Sequence, residues 1–326
     1  MLRNLFFIVA TVFAVTILSL PAQARDRIQI VGSSTVYPFA TVVAEKMGQK
    51  GFKTPVIEST GTGGGMKLFC AGVGTKYPDM TNASRAMKSK EKKMCEKNGV
   101  TDIIEVIVGN DGIAFSNSLK GKKLNFTRKQ LWMAMAEHGP KPMRWNQIDS
   151  SLPNIAIKIM APPPTSGTRD AWNSLVMKKG CKDAGLYDSL GKKKCNAFRE
   201  DGVVEEAGEN DTLIVKRLSA DKDSFGIFGF SFLDVNRDKI QGSTIEGVEI
   251  GLDSIQSYQY PVSRPLFFYV KKAHIGTVPG MKEYMSEFVG DSAIGEYGYL
   301  SDIGLVPLAS DKLAKVRYGV SYLKTM

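Results

Sequence analysis

Residues 27–47 read Arg27-Ile28-Gln29-Ile30-Val31-Gly32-Ser33-Ser34-Thr35-Val36-Tyr37-Pro38-Phe39-Ala40-Thr41-Val42-Val43-Ala44-Glu45-Lys46-Met47. A short β-branched run, Arg27–Val31, predicts a strand. Gly32-Ser33-Ser34-Thr35 supplies a turn with helix-capping hydroxyls, and Phe39, Val42, Val43 and Met47 then recur at helical spacing. The same step returns along the chain. Pro55–Glu58 predicts a strand that runs into Ser59-Thr60-Gly61-Thr62-Gly63-Gly64-Gly65, with a helix expected from Met66. Asp79–Arg85 leads to a lysine-rich helix containing Cys95, and Ile103–Val108 predicts another strand. Ile155–Met160 predicts a strand followed by Pro162-Pro163-Pro164-Thr165-Ser166-Gly167-Thr168-Arg169 and a helix through Trp172, Leu175 and Val176. Strand, loop and helix in repeated order define an α/β chain with parallel sheets.

The loops between strand and helix carry the chemistry. Three of them, Gly32–Val36, Ser59–Gly65 and Thr165–Arg169, combine Gly with Ser and Thr where a helix opens. Helix N-termini present N–H donors and a partial positive charge, so they receive anions. Glycine admits close backbone approach and the hydroxyls add donors. In open α/β sheets ligands sit at the carboxyl ends of the strands, where such loops lie. One such loop is an ordinary helix cap; three with adjoining arginines point to a tetrahedral oxyanion.

The remaining features bound the class. The chain has 326 residues, a length that favours two domains. Its formal net charge is +10, consistent with an anionic partner, and its 32 glycines exceed the usual share. Met1–Ala24 combines Arg3, an apolar run from Leu5 to Leu20 and Pro21-Ala22-Gln23-Ala24, the pattern of a signal peptide cleaved after Ala24. Export permits disulfides, and the four cysteines allow three connectivities. Loop closure within each expected domain favours Cys70–Cys95 and Cys181–Cys195. Zinc-ligand spacing, a phosphate-binding Gly-Lys loop, a nucleophile elbow and calcium-loop motifs are absent from the sequence, so neither metal, cofactor nor catalytic residues are expected. His138 and His274 read as surface residues. The lysine clusters Lys88–Lys93, Lys120–Lys123 and Lys192–Lys194 read as solvated faces away from the loops, and without interleaved aromatics they do not indicate nucleic acid.

Four motifs in order, Gly32-Ser33-Ser34-Thr35-Val36-Tyr37-Pro38, Ser59–Gly65, Ala83-Ser84-Arg85 and Ser166-Gly167-Thr168-Arg169-Asp170-Ala171-Trp172, resemble the periplasmic phosphate-binding proteins of ABC importers. Asn110-Asp111-Gly112-Ile113-Ala114 and Tyr260-Pro261-Val262-Ser263-Arg264-Pro265 extend the resemblance to nearly the whole chain after residue 24. It implies a type II, two-lobed α/β fold with a mixed, mostly parallel sheet in each lobe and two crossing hinge segments. Lobe 1 is expected over 25–109 plus 261–326 and lobe 2 over 110–260. It also implies a periplasmic, monomeric protein that binds inorganic phosphate in the cleft and delivers it to a membrane permease. A secreted phosphatase-like enzyme, or a binding protein for sulfate or molybdate, is the alternative. By the resemblance, Ser34, Thr35 and Val36, Thr62, Ser84, and Ser166, Gly167 and Thr168 hold the anion. Two positions depart from the best-known members. Pro162 stands where they carry an arginine, and Arg85 stands where they carry the aspartate that accepts the phosphate proton. Arg85 and Arg169 are therefore expected to form charge-assisted bonds to the anion. Asp111, in the crossing segment, is the first expected proton acceptor, ahead of Asp79 and Asp211.

Overall fold

The computed structural model describes residues 25–207 and 211–326. The expected signal peptide lies outside the described residues, as does the side chain of Asp211. The first lobe opens with β1 (Gln29–Gly32), α1 (Tyr37–Gln49), β2 (Val56–Ser59), α2 (Gly61–Phe69), β3 (Met80–Ala83) and α3 (Ser89–Lys97). Strand β4 (Ile103–Ser118) carries the chain into the second lobe. There follow β5 (Asn125–Phe126), α4 (Arg128–Met135), β6 (Ile159–Ala161), α5 (Gly167–Trp172), α6 (Lys178–Asp183), α7 (Tyr187–Cys195), β7 (Val204–Glu206), α8 (Asp211–Ala220) and β8 (Phe225–Gly229). The lobe ends with α9 (Phe230–Asp234), β9 (Ile240–Gly242), β10 (Thr244–Ile245) and α10 (Leu252–Gln256). Strand β11 (Ser263–Lys271) then returns to the first lobe, which closes with α11 (Met281–Phe288), α12 (Asp291–Ile294) and α13 (Ser310–Ser321).

The sheet runs β2-β1-β3-β11-β4-β8-β6-β7, with β9 also paired to β4. The β1–β2, β1–β3, β6–β7 and β6–β8 pairs are parallel, and the pairs made by β4 and β11 are antiparallel. Sequence patterning anticipates β4 as a strand ending at Val108, but it continues for 16 residues. Its first part, Ile103–Gly112, pairs with β11, and from Ile113 it pairs with β8. One strand thus belongs to both lobes, and a backbone hydrogen bond from Ile113 to Val262 ties it to the returning segment at 3.0 Å. Both halves are equally apolar, and the break between them is the short Gly109-Asn110-Asp111-Gly112 stretch, where the expected lobe boundary lies.

Each lobe has its own core. In the first, Val43, Met47, Phe268, Tyr284 and Phe288 pack on one face of the sheet. Met66, Phe69, Phe267 and Tyr269 pack on the other, beside the Cys70–Cys95 disulfide. In the second, Phe115 stacks on Phe225 at 4.9 Å, with Phe126, Trp145 and Trp172 around them, and Cys181–Cys195 is bonded. Both disulfides close within a lobe, as loop closure favours.

Helix α2 corrects one expectation. It starts at Gly61, not Met66, so most of the glycine-rich stretch is helix. The glycines serve packing: a Cβ on Gly65 would lie 2.5 Å from the Gly32 Cα and 2.6 Å from the Thr81 Oγ1. Only glycine lets this helix rest so closely on β1, and that contact fixes where its N-terminus points.

Candidate functional site

The strand-end loops converge at the junction of the lobes. Ser33–Val36 follows β1, Thr60 precedes α2, Ser84 and Arg85 follow β3, and Pro162–Ser166 joins β6 to α5. Ser166 caps α5 by accepting the Thr168 N–H at 3.1 Å. The Thr62 and Ser84 hydroxyls lie 3.1 Å apart, and the Ser84 N–H donates to the Thr62 Oγ1 at 3.1 Å. Across the junction the Thr35 hydroxyl donates to the Gly167 carbonyl at 3.2 Å. A Cβ on Gly167 would stand 2.6 Å from the Thr35 Cα, so glycine is what allows the first and third loops to touch. Ser34 is half-buried at this contact and Val36 fully buried behind it.

Arg264, on β11, links that contact to the interior. Its Nη2 donates to the Thr35 Oγ1 at 2.8 Å and its Nε to Asp111 Oδ2 at 3.2 Å. Its Nη1 lies 3.5 Å from the Ser174 Oγ and 3.8 Å from Asp170 Oδ2. Burial pushes the Asp111 carboxyl pKa up, Arg264 opposes this through its charge and hydrogen bond, and the Asp170 charge adds to the rise. One guanidinium therefore contacts residues of both lobes and of the crossing strand. In the sequence Arg264 stands out only as a member of the Tyr260–Pro265 strand motif. Its signal was an arginine inside an otherwise apolar strand, beside Pro265.

The two arginines expected at the anion behave differently. Arg169 is buried with its guanidinium 3.4 Å from the centre of the Phe198 ring, donating to the Pro162 carbonyl at 2.8 Å. It faces Glu206 at 3.5 Å and does not line the cavity between the lobes. Helical geometry turns position 169 away from the face that carries Asp170 and Ser174. Arg85 does line the cavity, but both its terminal nitrogens bond Glu91 at 2.8 Å. Burial works to raise the Glu91 pKa, yet the bonds from Arg85 and from the Lys88 N–H outweigh it and hold that carboxyl low. Asp111 stands behind Arg264 and is not part of the cavity wall.

The cavity itself measures about 860 Å³. Thr60–Gly64, Ser84 and Arg85 form the first-lobe wall, and Asp170, Ser174, Leu175 and Lys178 form the second, with Arg264 between them. Asp170, Ser174 and Lys178 share one helix face at spacings of four, running through the π-helical turn Asn173–Met177. Lys67, Lys88, Lys90 and Lys192 complete the rim. This corrects the reading of Lys88–Lys93 and Lys192–Lys194 as faces remote from the loops. The fold brings members of both clusters to one cavity, a proximity that linear spacing cannot reveal.

His274 and Asp79 are also corrected. His274 is buried rather than exposed, because its Nδ1 lies 2.6 Å from Asp79 Oδ1 and its Nε2 accepts the Gly74 N–H at 2.9 Å. Asp79 is fully buried, ion-paired with Arg25 and bonded by the Gln29 N–H at 2.7 Å. It belongs to the first lobe's interior, not to the cleft. His138 is exposed as expected.

Two α/β lobes joined by crossing strands, with a hydroxyl- and guanidinium-lined cavity between them, define the two-lobed binding-protein architecture. The chain belongs to the PBP superfamily, whose domain profile matches residues 19–292. It is 28% identical over 321 residues to protein SphX of Synechocystis sp., covering 94% of this chain and 86% of that one. It is 28% identical over 280 residues to the phosphate-binding protein PstS of Staphylococcus epidermidis, covering 83% and 77%. Among solved structures, a possible phosphate-binding protein from Planctomyces limnophilus shares the fold with a TM-score of 0.75 at 23% identity, covering 92% of this chain and 99% of that one. PstS from Borrelia burgdorferi shares it at 0.61 and 16%, covering 88% and 100%.

Proposed function

We propose that the protein captures inorganic phosphate in the inter-lobe cleft and delivers it to the permease of an ABC importer. The observation that carries this reading is the cavity at the strand ends, where Arg264, Thr62 and Ser84 converge between the lobes. Guanidinium and hydroxyl donors match a tetrahedral oxyanion. The names borne by SphX- and PstS-type relatives support phosphate among the oxyanions. The proposed ligands are Arg264, Thr62, Ser84 and the backbone opening α2.

Phosphate near neutral pH still carries a proton, whereas sulfate does not, so a carboxylate acceptor would distinguish them. Glu91 has both oxygens engaged by Arg85, and Asp111 is turned to Arg264. We therefore assign Asp170, a carboxylate on the cavity wall, as the acceptor. We propose lobe 1 over 25–109 plus 261–326 and lobe 2 over 110–260, with hinge motion where β4 changes partner. Closure follows from the anion's higher affinity for the form in which both lobes contact it. The protein acts by binding, as an exported, periplasmic monomer, with no covalent step. Among the described residues no helix is long and apolar enough to cross a membrane. Isothermal titration with phosphate, arsenate, sulfate and molybdate tests the reading; phosphate and arsenate should bind well above the other two, and absence of phosphate binding overturns it.

A further inference from the structure

The cavity holds more positive charge and more space than one orthophosphate uses. Its volume of about 860 Å³ falls in the range of sites for ligands many atoms larger. Arg264 and Ser84 are buried and, with the half-buried Thr62, form only part of its wall. Five lysines, Lys67, Lys88, Lys90, Lys178 and Lys192, stand around the remainder. Three belong to the first lobe and two to the second. Among the described residues none of the five forms an ion pair. The Arg85 charge holds the Lys88 ammonium below its usual pKa, with partial burial, Lys90 and Lys178 adding to this and Glu91 only partly opposing it. Around Lys88 the cations of the cleft outweigh Glu91, and on the whole wall seven cationic side chains face two carboxylates, Glu91 and Asp170, so positive charge there is not fully compensated. The walls otherwise offer Met94 and Leu175 as their apolar side chains and no aromatic ring, so no surface suits a nucleobase or other flat organic group.

We propose that the cleft also takes condensed phosphate, pyrophosphate or a short linear polyphosphate, with one terminal phosphoryl group at Arg264 and the next groups on the lysines. This rests on the phosphate reading of the Arg264 site. The linked phosphoryl oxygens supply a dense, extended row of acceptors, which ammonium groups from both lobes match as the lobes close.

The test is calorimetric titration of the purified protein, in metal-free buffer, with orthophosphate, pyrophosphate, tripolyphosphate and β-glycerophosphate. It is repeated on the Lys88→Gln/Lys178→Gln/Lys192→Gln variant. The expected result is that pyrophosphate and tripolyphosphate bind in competition with orthophosphate. The variant should weaken both by about tenfold or more, with orthophosphate changed less than about twofold. Orthophosphate binding without pyrophosphate or tripolyphosphate binding overturns this proposal and leaves the proposed function standing. So does an equal loss for all three ligands, which makes the lysines a general attractor, or β-glycerophosphate binding as tightly as pyrophosphate. Failure of every phosphate compound to bind overturns both readings.

Discussion

Two aspartate–arginine pairs, one inside the first lobe and one at the lobe junction, do opposite work. In the first lobe, Asp79 pairs with Arg25, accepts from the Gln29 N–H and meets His274, so its oxygens are filled on all sides. At the lobe junction, Asp111 accepts from Arg264, whose other nitrogens reach Thr35 and the cavity wall. The first pair is closed by protein; the second has one side given over to the cleft. Buried charges cost several kcal/mol unless paired and fully hydrogen-bonded, and the interior group satisfies that condition by itself. The junction group completes its bonding with residues contributed by both lobes, which suits it to sense an anion and a lobe movement together.

Substituting one member of each pair should separate stability from binding. Asp79→Asn leaves Arg25 without its counter-charge and should lower the unfolding free energy by about 3 kcal/mol, with phosphate affinity unchanged in the folded protein; denaturant melts and calorimetry give both numbers. Arg264→Lys, which keeps a cation beside Asp111 but loses the fork of donors, should do the reverse, weakening phosphate binding about 30-fold, or about 2 kcal/mol, while the melting temperature shifts little. A variant that loses both properties equally would mean that the junction pair is structural after all.

The carboxylates around Arg264 allow a finer division. Asp170→Asn should reduce the preference for phosphate over sulfate about tenfold, because the proton acceptor is gone. Asp111→Asn should weaken both anions alike, since it orients the guanidinium without meeting the ligand. Competition titrations with the two anions decide it; a selective loss on Asp111→Asn would exchange their roles.

The smallest effect concerns Lys271, at the edge of the interior group. Its ammonium is buried without a hydrogen-bond partner, lying 5.0 Å from the centre of the Phe69 ring and 5.4 Å from that of Tyr77. Burial lowers its pKa from 10.5 to about 8, with Asp79 opposing and Arg25 assisting. Below about 8 the group is charged in folded and unfolded chains alike, so the cost of burying it is fully present. As pH rises from about 8 to 10.5 the folded chain releases the proton first and that cost fades. Lys271→Met should therefore stabilise the protein by about 1 kcal/mol near pH 7, with the gain shrinking across that window in pH-dependent melts. A gain that persists at high pH would point to packing rather than charge.

Local patterning carried most of the elements. The step from Gln29 to Gln49 was legible because period-2 and period-3.6 spacings meet at a capping turn. The disulfides followed from loop closure within each domain. At the site, the hydroxyls of Thr62 and Ser84 were legible as loop residues, and the structure sets them side by side. Arg169 was misread because loop proximity says nothing of direction: one residue along a helix turns a side chain by about 100°, here onto Phe198 and away from Asp170. His274 was misread because its partner, Asp79, lies 195 residues earlier.

The sequence by itself determined the α/β alternation, the strand-end loops that suit an anion, and the resemblance to phosphate-binding proteins, since each rests on spacing within about thirty residues or on motif order. Only the tertiary structure decided that Arg264 rather than Arg169 faces the cleft, that Asp170 lies on its wall, and that lysines from distant clusters meet there. Those facts depend on β4 and β11 crossing between the lobes. Strand pairing over long sequence separation sets which side chains share a cavity, and no local pattern encodes it.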